Sequence, residues 1–255
     1  DYYWVNENRT RKPFRYGDFN IGETLRDTED ARKEIADWIG TEKQRLNEKM
    51  AKECDTIVAG LYEYLAIYEP LFPKKTEFIP FPIVCDDDTP TIEFHKDGEP
   101  IKIFIGINKS RSAYKGTDIM LKAAKEVESK YPDKLKLTVV ESVPFDEYRK
   151  MMMSCDAIVD QLYSYTPSMN PLEAMSHGLI CIGGGEPENY EVLNETELRP
   201  IVNVEPTFKS VYSQIENMVL HPENISTMQR QSIEYIRKHH DYMKVAKQYE
   251  KLYMK

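Results

Sequence analysis

Short apolar runs alternate with amphipathic helical patterns over most of the chain from Ile101 onward. The apolar runs contain few polar positions, as expected for strands that are buried on both faces of a parallel sheet. In chain order the segments are IKIFIGI, GTDIMLKAAKEVESKY, LKLTVV, PFDEYRKMMMS, DAIVDQL, NPLEAMSHG, LICIGGG, a polar helical stretch, PIVNV and TFKSVYSQIENMVL. This alternation predicts a Rossmann-like α/β domain over residues 101–222.

After this domain the pattern changes to two mostly polar helices in residues 223–255, ENISTMQRQSIEYIRKHH and DYMKVAKQYEKLYMK. Tyr and Met recur in them at helical spacing. Such stripes indicate packing against a neighbouring element rather than a cofactor box.

The first 90 residues contain fewer apolar runs. The segment ETLRDTEDARKEIADWIGTEKQRLNEKMAKE predicts one or two long charged helices, and LYEYLAIYEPLF predicts another. Only DTIVAG and FIPFPIV indicate strands, with YYWV as a weaker one. So few strands predict a partial second α/β domain over residues 1–90, with its leading strands missing from this chain. The polar, Pro-containing stretch CDDDTPTIEFHKDGEP indicates a surface segment, in which we assign residues 91–100 as a linker.

Composition narrows the class of protein. The chain has 255 residues, 41% of them hydrophobic and 30% charged, with a net charge of −9. We expect a soluble, cytoplasmic protein, because no apolar run is long enough to span a bilayer and the first residues lack a secretory signal. The acidic balance disfavours nucleic acid or an anionic membrane as the main partner. Because the chain begins with Asp1, we expect a cut or processed piece of a longer protein.

Four cysteines lie in or beside apolar segments: Cys54, Cys85, Cys155 and Cys181. Their spacing is not that of paired metal ligands, so we expect reduced, buried thiols rather than disulfides or a zinc site. We therefore predict neither a metal nor a bound cofactor.

Three consecutive glycines, Gly183, Gly184 and Gly185, follow the apolar run LICI. In a parallel sheet they fall at the carboxyl end of a strand, where ligands bind and helix N-termini favour phosphate. Lacking Cβ atoms, they can let the backbone approach a ligand or adopt positive φ, whereas a simple flexible turn is the alternative. The triplet does not match the dinucleotide-binding fingerprint.

Glu173 also has two interpretations. Asn170, Pro171 and Glu173 fit the N-cap, first-turn proline and third-position carboxylate of a capping box, and this local pattern favours a capping role. A carboxylate at a strand-to-helix junction can also accept hydrogen bonds from ribose hydroxyls.

The segment NPLEAMSHGLICIGGGEPENYE resembles a region of the retaining GT-B glycosyltransferases in the large family-four group. Upstream, IFIGINKSRSAYKGTDIMLKAAKEV and SVPFDEYRKMMMSCDAIVDQ are similar to that family's opening strand with its Lys-Gly and to the segment before its donor loop. MAKECDTIVAGLYEYLAIYEPLFPKKTEFIPFPIV is similar to the end of its acceptor domain. The resemblance covers residues 50–222.

The resemblance implies roles for the residues that match. Glu173 corresponds to the second Glu of the family's paired-Glu motif and would hold the nucleotide ribose. Tyr165 stands where the first Glu is expected, which is a departure in the donor-sugar site. Lys115 matches the Lys before Gly, and Lys109 or Arg111 the preceding basic position, so these cations would neutralise the diphosphate.

The local sequence around these cations allows either an anion-binding role or an ordinary solvated side chain. Lys115 precedes a predicted helix start, where the dipole disfavours a cation unless an anion binds, although a solvated loop lysine is the alternative. For Lys109 and Arg111 the two interpretations are equally favoured.

Other predicted contacts lie around the same loops. Ser168 and Asn170, together with backbone N–H groups, are candidates for nucleotide binding, and Ser164 and Thr166 lie in the same loop. Gly184, Gly185, Glu188 and Tyr165 are candidates for the donor sugar, with Glu188 matching the Glu of the family's Pro-Glu pair. For His177 a helix-end structural role accounts for the position, and we assign it no catalytic role.

The predicted function is transfer of a sugar from a nucleotide-diphosphate donor to an acceptor hydroxyl, with retention as the resemblance implies and without a metal. The acceptor would be a saccharide or a lipid-linked molecule. Two alternatives remain: a nucleotide-sugar-binding domain of weak or lost activity, and a nucleotide-sugar epimerase of similar architecture.

Overall fold

The computed structural model describes residues 1–85, 88–108 and 111–254. In chain order its elements are α1 (Tyr2–Thr10), β1 (Asn20–Ile21), β2 (Thr24–Leu25), α2 (Glu29–Trp38), α3 (Glu42–Glu53), β3 (Ile57–Ala59), α4 (Tyr62–Tyr68), β4 (Thr76–Phe78), β5 (Ile101–Ile107), α5 (Ser112–Lys115), α6 (Thr117–Lys130), β6 (Leu135–Glu141), α7 (Phe145–Met152), β7 (Ala157–Val159), α8 (Met169–Ser176), β8 (Ile180–Gly183), α9 (Pro187–Val192), β9 (Val202–Asn203), α10 (Phe208–Leu220), α11 (Ile225–His239) and α12 (Tyr242–Tyr253).

The predicted Rossmann-like domain is confirmed. Five parallel strands form one sheet in the order β6-β5-β7-β8-β9, and helices cover both of its faces. Alternate β5 residues enter opposite cores: Ile103 and Ile105 pack with α6 and α10 residues, whereas Phe104 packs on the other side against Tyr148 and Met152. Apolar residues on both faces of the strands explain why the sequence runs lack alternation.

The region before the sheet is smaller, as predicted. Within residues 1–85 the structure forms a two-stranded parallel pair, β3 with β4, and a short antiparallel pair, β1 with β2. The long charged stretch is two helices, α2 and α3, each beginning at a threonine whose side chain accepts an N–H bond from the first turn. An aromatic cluster around Tyr3, Phe14 and Tyr68 fills the space between α1 and α4.

Two strand predictions in this region differ from the structure. YYWV lies in α1 and is not a strand, because the Asp1 side chain caps the helix by accepting from the Trp4 N–H at 2.8 Å. The strand expected at FIPFPIV is β4, which lies earlier and ends at Phe78. Pro80 and Pro82 follow it, and they have no N–H to donate to a sheet partner.

The segments around the sheet are held against it. In the predicted linker Ile92 and His95 are buried, and the N–H of Ile92 donates to the His177 carbonyl at 2.8 Å. The chain after β4 is joined to the C-terminal helices, because the Ile83 N–H donates to the His240 carbonyl at 2.7 Å. No helix in the described part of the chain has the length and apolarity that a membrane crossing requires.

Candidate functional site

The carboxyl ends of β5, β6 and β7 border a cavity of about 400 Å³, which we call the strand-end cavity. Its lining includes Gly106 near the end of β5 and Asn108 after it, Ser142 and Val143 after β6, and Asp160 after β7. This edge of a parallel sheet is where α/β proteins bind their ligands. Ser142 has a φ of 52°, a left-handed conformation that non-glycine residues rarely adopt and that is enriched at ligand sites.

Lys115 is the cation that lines this cavity among the residues that the structure describes. It is the last residue of α5, and Gly116, with a φ of 72°, turns the chain directly into α6. A Cβ at Gly116 would lie 2.7 Å from the Cβ of Leu162, so only glycine fits this turn. The α6 start predicted after Lys115 is therefore confirmed, and Lys115 stands where the helix dipole favours an anion.

Asp160 faces the same cavity and has no counterpart among the predicted site residues. Burial raises the pKa of its carboxyl, while the nearby Lys115 charge lowers it. The Ser168 hydroxyl donates to both Asp160 oxygens at 3.4 Å. A polar residue at the end of the apolar run DAIVD was the sequence signal for this position.

Of the other two predicted cations, Arg111 and Lys109, the structure describes only Arg111. Arg111 is the N-cap residue of α5, with its guanidinium 4.9 Å from the ring centre of Tyr114. It lines a neighbouring cavity rather than the strand-end cavity. Lys109 lies outside the described residues.

The capping interpretation of Glu173 is wrong. Helix α8 begins two residues earlier than expected, with Ser168 at the N-cap, so Asn170 is its second residue and Glu173 its fifth. The Asn170 side chain donates instead to the Tyr148 hydroxyl at 3.0 Å. Because Ser168 donates to Asp160, none of the described side chains caps α8, and its first N–H groups have no side-chain partner there.

Glu173 lines a third cavity, of about 630 Å³, on the other side of Asn170. Its carboxylate lies 3.8 Å from the Arg149 Nε, with 40% of the side chain exposed. The exposed ring of Phe145 borders the same space. Asn170 lines both this cavity and the strand-end cavity, so the two are neighbours on either side of its side chain.

The glycine triplet serves close packing within the protein. None of the three residues has a positive φ, so a left-handed backbone conformation is not the reason for glycine at these positions. A Cβ at Gly184 would lie 2.3 Å from the Ser164 carbonyl oxygen, and one at Gly185 would lie 2.7 Å from Ile201 Cγ2. Gly184 therefore lets the chain after β8 pass close to the 164–166 loop, and Gly185 lets it pass close to Ile201.

Tyr165 is part of the aromatic cluster and is only 2% exposed. Its ring lies 5.0 Å from that of Tyr16 and 5.9 Å from that of Tyr62, and its hydroxyl accepts from the Arg15 N–H at 2.8 Å. Arg15 also pairs with Glu188 at 2.8 Å. The structure thus brings Tyr165 and Glu188 together through the N-terminal region.

Sequence reasoning missed two carboxylates at this junction. Glu186 is buried, pairs with Arg15 and accepts hydrogen bonds from the Tyr16 hydroxyl and the Asn203 amide. Glu186 is the N-cap of α9, and the proline that follows it is a sequence signal for a helix start at this position.

Glu63 is the second missed carboxylate. It accepts from the N–H groups of Tyr165 and Thr166 at 2.8 and 3.1 Å, and from the hydroxyls of Ser164 and Thr166. It lies about one hundred positions away in the chain, so no local pattern marked it.

A cleft of about 460 Å³ separates the N-terminal region from the sheet domain. It is lined by Asp18, Tyr64 and Tyr165 among others, and it shares Lys115 and Asn170 with the strand-end cavity. Lys115 and Asn170 therefore border both spaces.

No protein-family model and no curated protein matches this chain. Among solved structures, TarM aligns with a TM-score of 0.60 and 13% identity over 83% of this chain and 46% of TarM. Anabaena HepE in complex with UDP-glucose gives 0.60 and 13% over 84% of this chain and 68% of HepE. Sucrose-phosphate synthase from Thermosynechococcus elongatus gives 0.55 and 13% over 85% and 63%.

These similar proteins are GT-B glycosyltransferases, and the similarity shows that the chain has the GT-B fold. The chain spans about half the length of TarM, which agrees with a partial second domain.

Proposed function

We propose that this chain transfers a hexose from a nucleoside-diphosphate sugar to an acceptor hydroxyl, with retention at the anomeric carbon and without a metal ion. The observation that carries the proposal is the strand-end cavity, where Lys115 lies beside the N-termini of α6 and α8. None of the described side chains caps either helix. Free N–H groups, a positive helix end and an ammonium group together suit a diphosphate.

The cations supply the stabilisation that such a reaction needs. When the sugar leaves, negative charge develops on the diphosphate, and positive groups that are already in place lower the energy of that state. Lys115 takes this role in the strand-end cavity, with Arg111 acting from the cleft side and Lys109 as a further cation. Ser168 and Asn170 lie where α8 presents its first N–H groups, so they complete the nucleotide contacts in this proposal.

Glu173 is the proposed ribose ligand. The third cavity, where it lies half-exposed, shares Asn170 with the strand-end cavity, so in this proposal the nucleotide passes Asn170, with its diphosphate near Lys115 and its ribose near Glu173. Tyr165 lines the cleft beside Lys115 and would border the donor sugar. Gly184, Gly185 and Glu188 lie behind it and would shape that wall.

A nucleotide-sugar-binding domain that does not catalyse transfer is the second candidate. It is favoured by Tyr165, which stands where the resemblance leads us to expect a carboxylate and whose ring is packed between Tyr16 and Tyr62. Donor hydrolysis and transfer assays with UDP-, GDP- and ADP-sugars separate the two candidates, because a binding domain gives neither product.

The test of the donor site is calorimetry with UDP, GDP and ADP. We expect at least one to bind, and Lys115→Ala to weaken it by about tenfold, since a charge-assisted contact contributes roughly 1.5–3 kcal/mol. The loss should shrink at high salt. Lys125→Ala, an exposed lysine on the same helix α6, is the matched control. Absence of binding by all three nucleotides at millimolar concentration would refute the proposal.

Glu173→Gln tests the ribose contact. We expect weaker UDP binding but unchanged binding of inorganic pyrophosphate, because only the nucleotide carries the ribose hydroxyls. Equal losses for both ligands would place Glu173 outside the ribose site.

A further inference from the structure

The cleft and the strand-end cavity share two lining residues, Lys115 and Asn170. A molecule in the cleft therefore lies against the same lysine that would contact a diphosphate in the strand-end cavity. If the proposed function holds, the cleft is the place from which an acceptor hydroxyl reaches the donor sugar.

The two walls of the cleft differ in charge. The N-terminal wall presents the carboxylates of Asp18 and Glu34, whereas the sheet-domain wall presents Arg111 and Lys115. An anionic acceptor lying against the N-terminal wall would be repelled, and removal of water from the cleft would strengthen that repulsion.

Aromatic rings occupy the same N-terminal wall. Trp4 and Tyr64 both line the cleft, are half-buried, and have ring centres 5.4 Å apart. Aromatic faces offer contact area to the C–H faces of a ligand, while neighbouring polar groups bind its hydroxyls and fix its orientation. This pairing of ring faces with carboxylates suits a sugar better than an acyl chain.

Asp18 is the carboxylate that is best placed to bind a hydroxyl. Its Oδ2 accepts from the Tyr114 hydroxyl at 2.6 Å, and among the described residues no other group donates to this carboxylate. Burial raises the pKa of Asp18 to about 6, opposed by the Tyr114 hydrogen bond and by the charges of Arg26 and Arg111, while Glu63 adds to the rise. The group is therefore ionised at neutral pH and able to accept another hydrogen bond.

We propose that the cleft binds a neutral saccharide as the acceptor of the proposed transfer, with Asp18 accepting a hydrogen bond from a sugar hydroxyl and Tyr64 packing against the sugar face. The inference rests on the proposed function for its acceptor role. It goes further in selecting an uncharged sugar over an anionic or lipid acceptor.

The test compares ligands of matched shape by saturation-transfer NMR, with and without UDP. The probes are methyl β-D-glucopyranoside, methyl β-D-galactopyranoside, the methyl glycoside of N-acetylglucosamine, methyl β-D-glucuronide as the anionic counterpart, and farnesol as a lipid. We expect a neutral glycoside to bind about fivefold or more tightly than the glucuronide near neutral pH, because of the acidic wall.

Asp18→Asn should bring the ratio of neutral-glycoside affinity to glucuronide affinity close to one. The substitution removes the charge but keeps an oxygen that accepts from the Tyr114 hydroxyl. Glu34→Gln, which leaves Asp18 and Tyr114 intact, should lower the ratio by a smaller factor. Asp133→Asn, an exposed carboxylate remote from the cleft lining, is the matched control and should leave it unchanged. The wild-type preference should also decrease below about pH 6, when Asp18 is protonated.

Equal binding of the glucuronide, an unchanged ratio in Asp18→Asn, binding of farnesol alone, or no binding of any glycoside would each overturn the proposal. Calorimetry with UDP separates this failure from that of the proposed function. If UDP binds and the glycosides do not, only the acceptor inference is wrong. If the glycosides bind and UDP does not, the donor site is wrong.

Discussion

The sheet domain and the N-terminal region meet across one cleft, but they are stabilised in different ways. The sheet domain encloses continuous apolar cores on both faces of five parallel strands. The N-terminal region has short strand pairs, an aromatic cluster and a small apolar cluster. It is joined to the sheet domain by the Tyr165 ring and by polar groups: Arg15, Arg26, Glu63 and His240. The strand-end cavity is therefore a property of one domain, whereas the shape of the cleft depends on this junction.

The largest effect should come from the sheet core. Phe104→Ala removes a fully buried ring from β5 and should lower the free energy of unfolding by about 3–5 kcal/mol, since the cavity cannot collapse between strand and helix. Urea denaturation followed by circular dichroism measures it. Phe145→Ala, at an exposed position on α7, is the control and should change stability by less than about 0.5 kcal/mol. Similar losses for both variants would show that this core is not tightly packed.

A smaller loss should follow at the junction. Glu63→Ala removes the acceptor shared by two buried N–H groups and two hydroxyls of the 164–166 loop, and should cost about 2–3 kcal/mol. The Tyr165 N–H and the Thr166 hydroxyl then have no acceptor among the described residues, whereas the Ser164 hydroxyl and the Thr166 N–H keep a bond within the loop. Hydrogen exchange at Tyr165 and Thr166 should become faster, while that of β5 amides stays slow. Glu69→Ala, an exposed carboxylate at the end of α4, is the control. Unchanged exchange in the loop would mean that the sheet domain holds it alone.

His240 makes the junction sensitive to acid. Burial lowers its pKa to about 4, its Nδ1–H donates to the Phe81 carbonyl, and its Nε2 has no hydrogen-bond partner among the described residues. The unfolded chain takes up a proton near pH 6.5 and the folded chain does not. This contribution to stability is therefore complete above about pH 6.5 and is lost as the pH falls towards 4.

Between about pH 7.5 and pH 5 we expect a loss of about 2 kcal/mol that is absent in His240→Asn, whose amide can still donate to Phe81. Urea denaturation at both pH values gives the difference. His221→Asn, at an exposed histidine, should retain the full acid sensitivity. An unchanged pH dependence in His240→Asn would assign the acid sensitivity to other groups.

The smallest effect is expected at Arg15. Its side chain is 58% exposed, which lets solvent screen its charge, and the buried Glu186 keeps its hydrogen bonds from Tyr16 and Asn203, so Arg15→Ala should cost about 1 kcal/mol. The loss should decrease further in high salt. Arg45→Ala, which removes a fully exposed pair with Glu42, is the control. A loss as large as that of Glu63→Ala would show that Arg15 organises the junction.

The sequence by itself determined the sheet domain and the position of the strand-end cavity. Strands such as β5 and β7 are buried on both faces, so a short run of apolar residues is enough to identify them in the sequence. Because the strands are parallel, all their carboxyl ends lie at one edge of the sheet. The helix start after Lys115 followed in the same way from Gly116.

Only the tertiary structure decided what surrounds that edge. The interpretation of Glu173 as a cap failed because Ser168 begins α8 and donates to Asp160, a contact between residues eight positions apart. Gly184 and Gly185 pack against the protein's own 164–166 loop and Ile201. The roles of Glu63 and Asp18 depend on residues about one hundred positions away, to which no spacing along the chain corresponds. Contacts between distant segments are selected by packing and charge in three dimensions, and the local pattern of a sequence does not contain them.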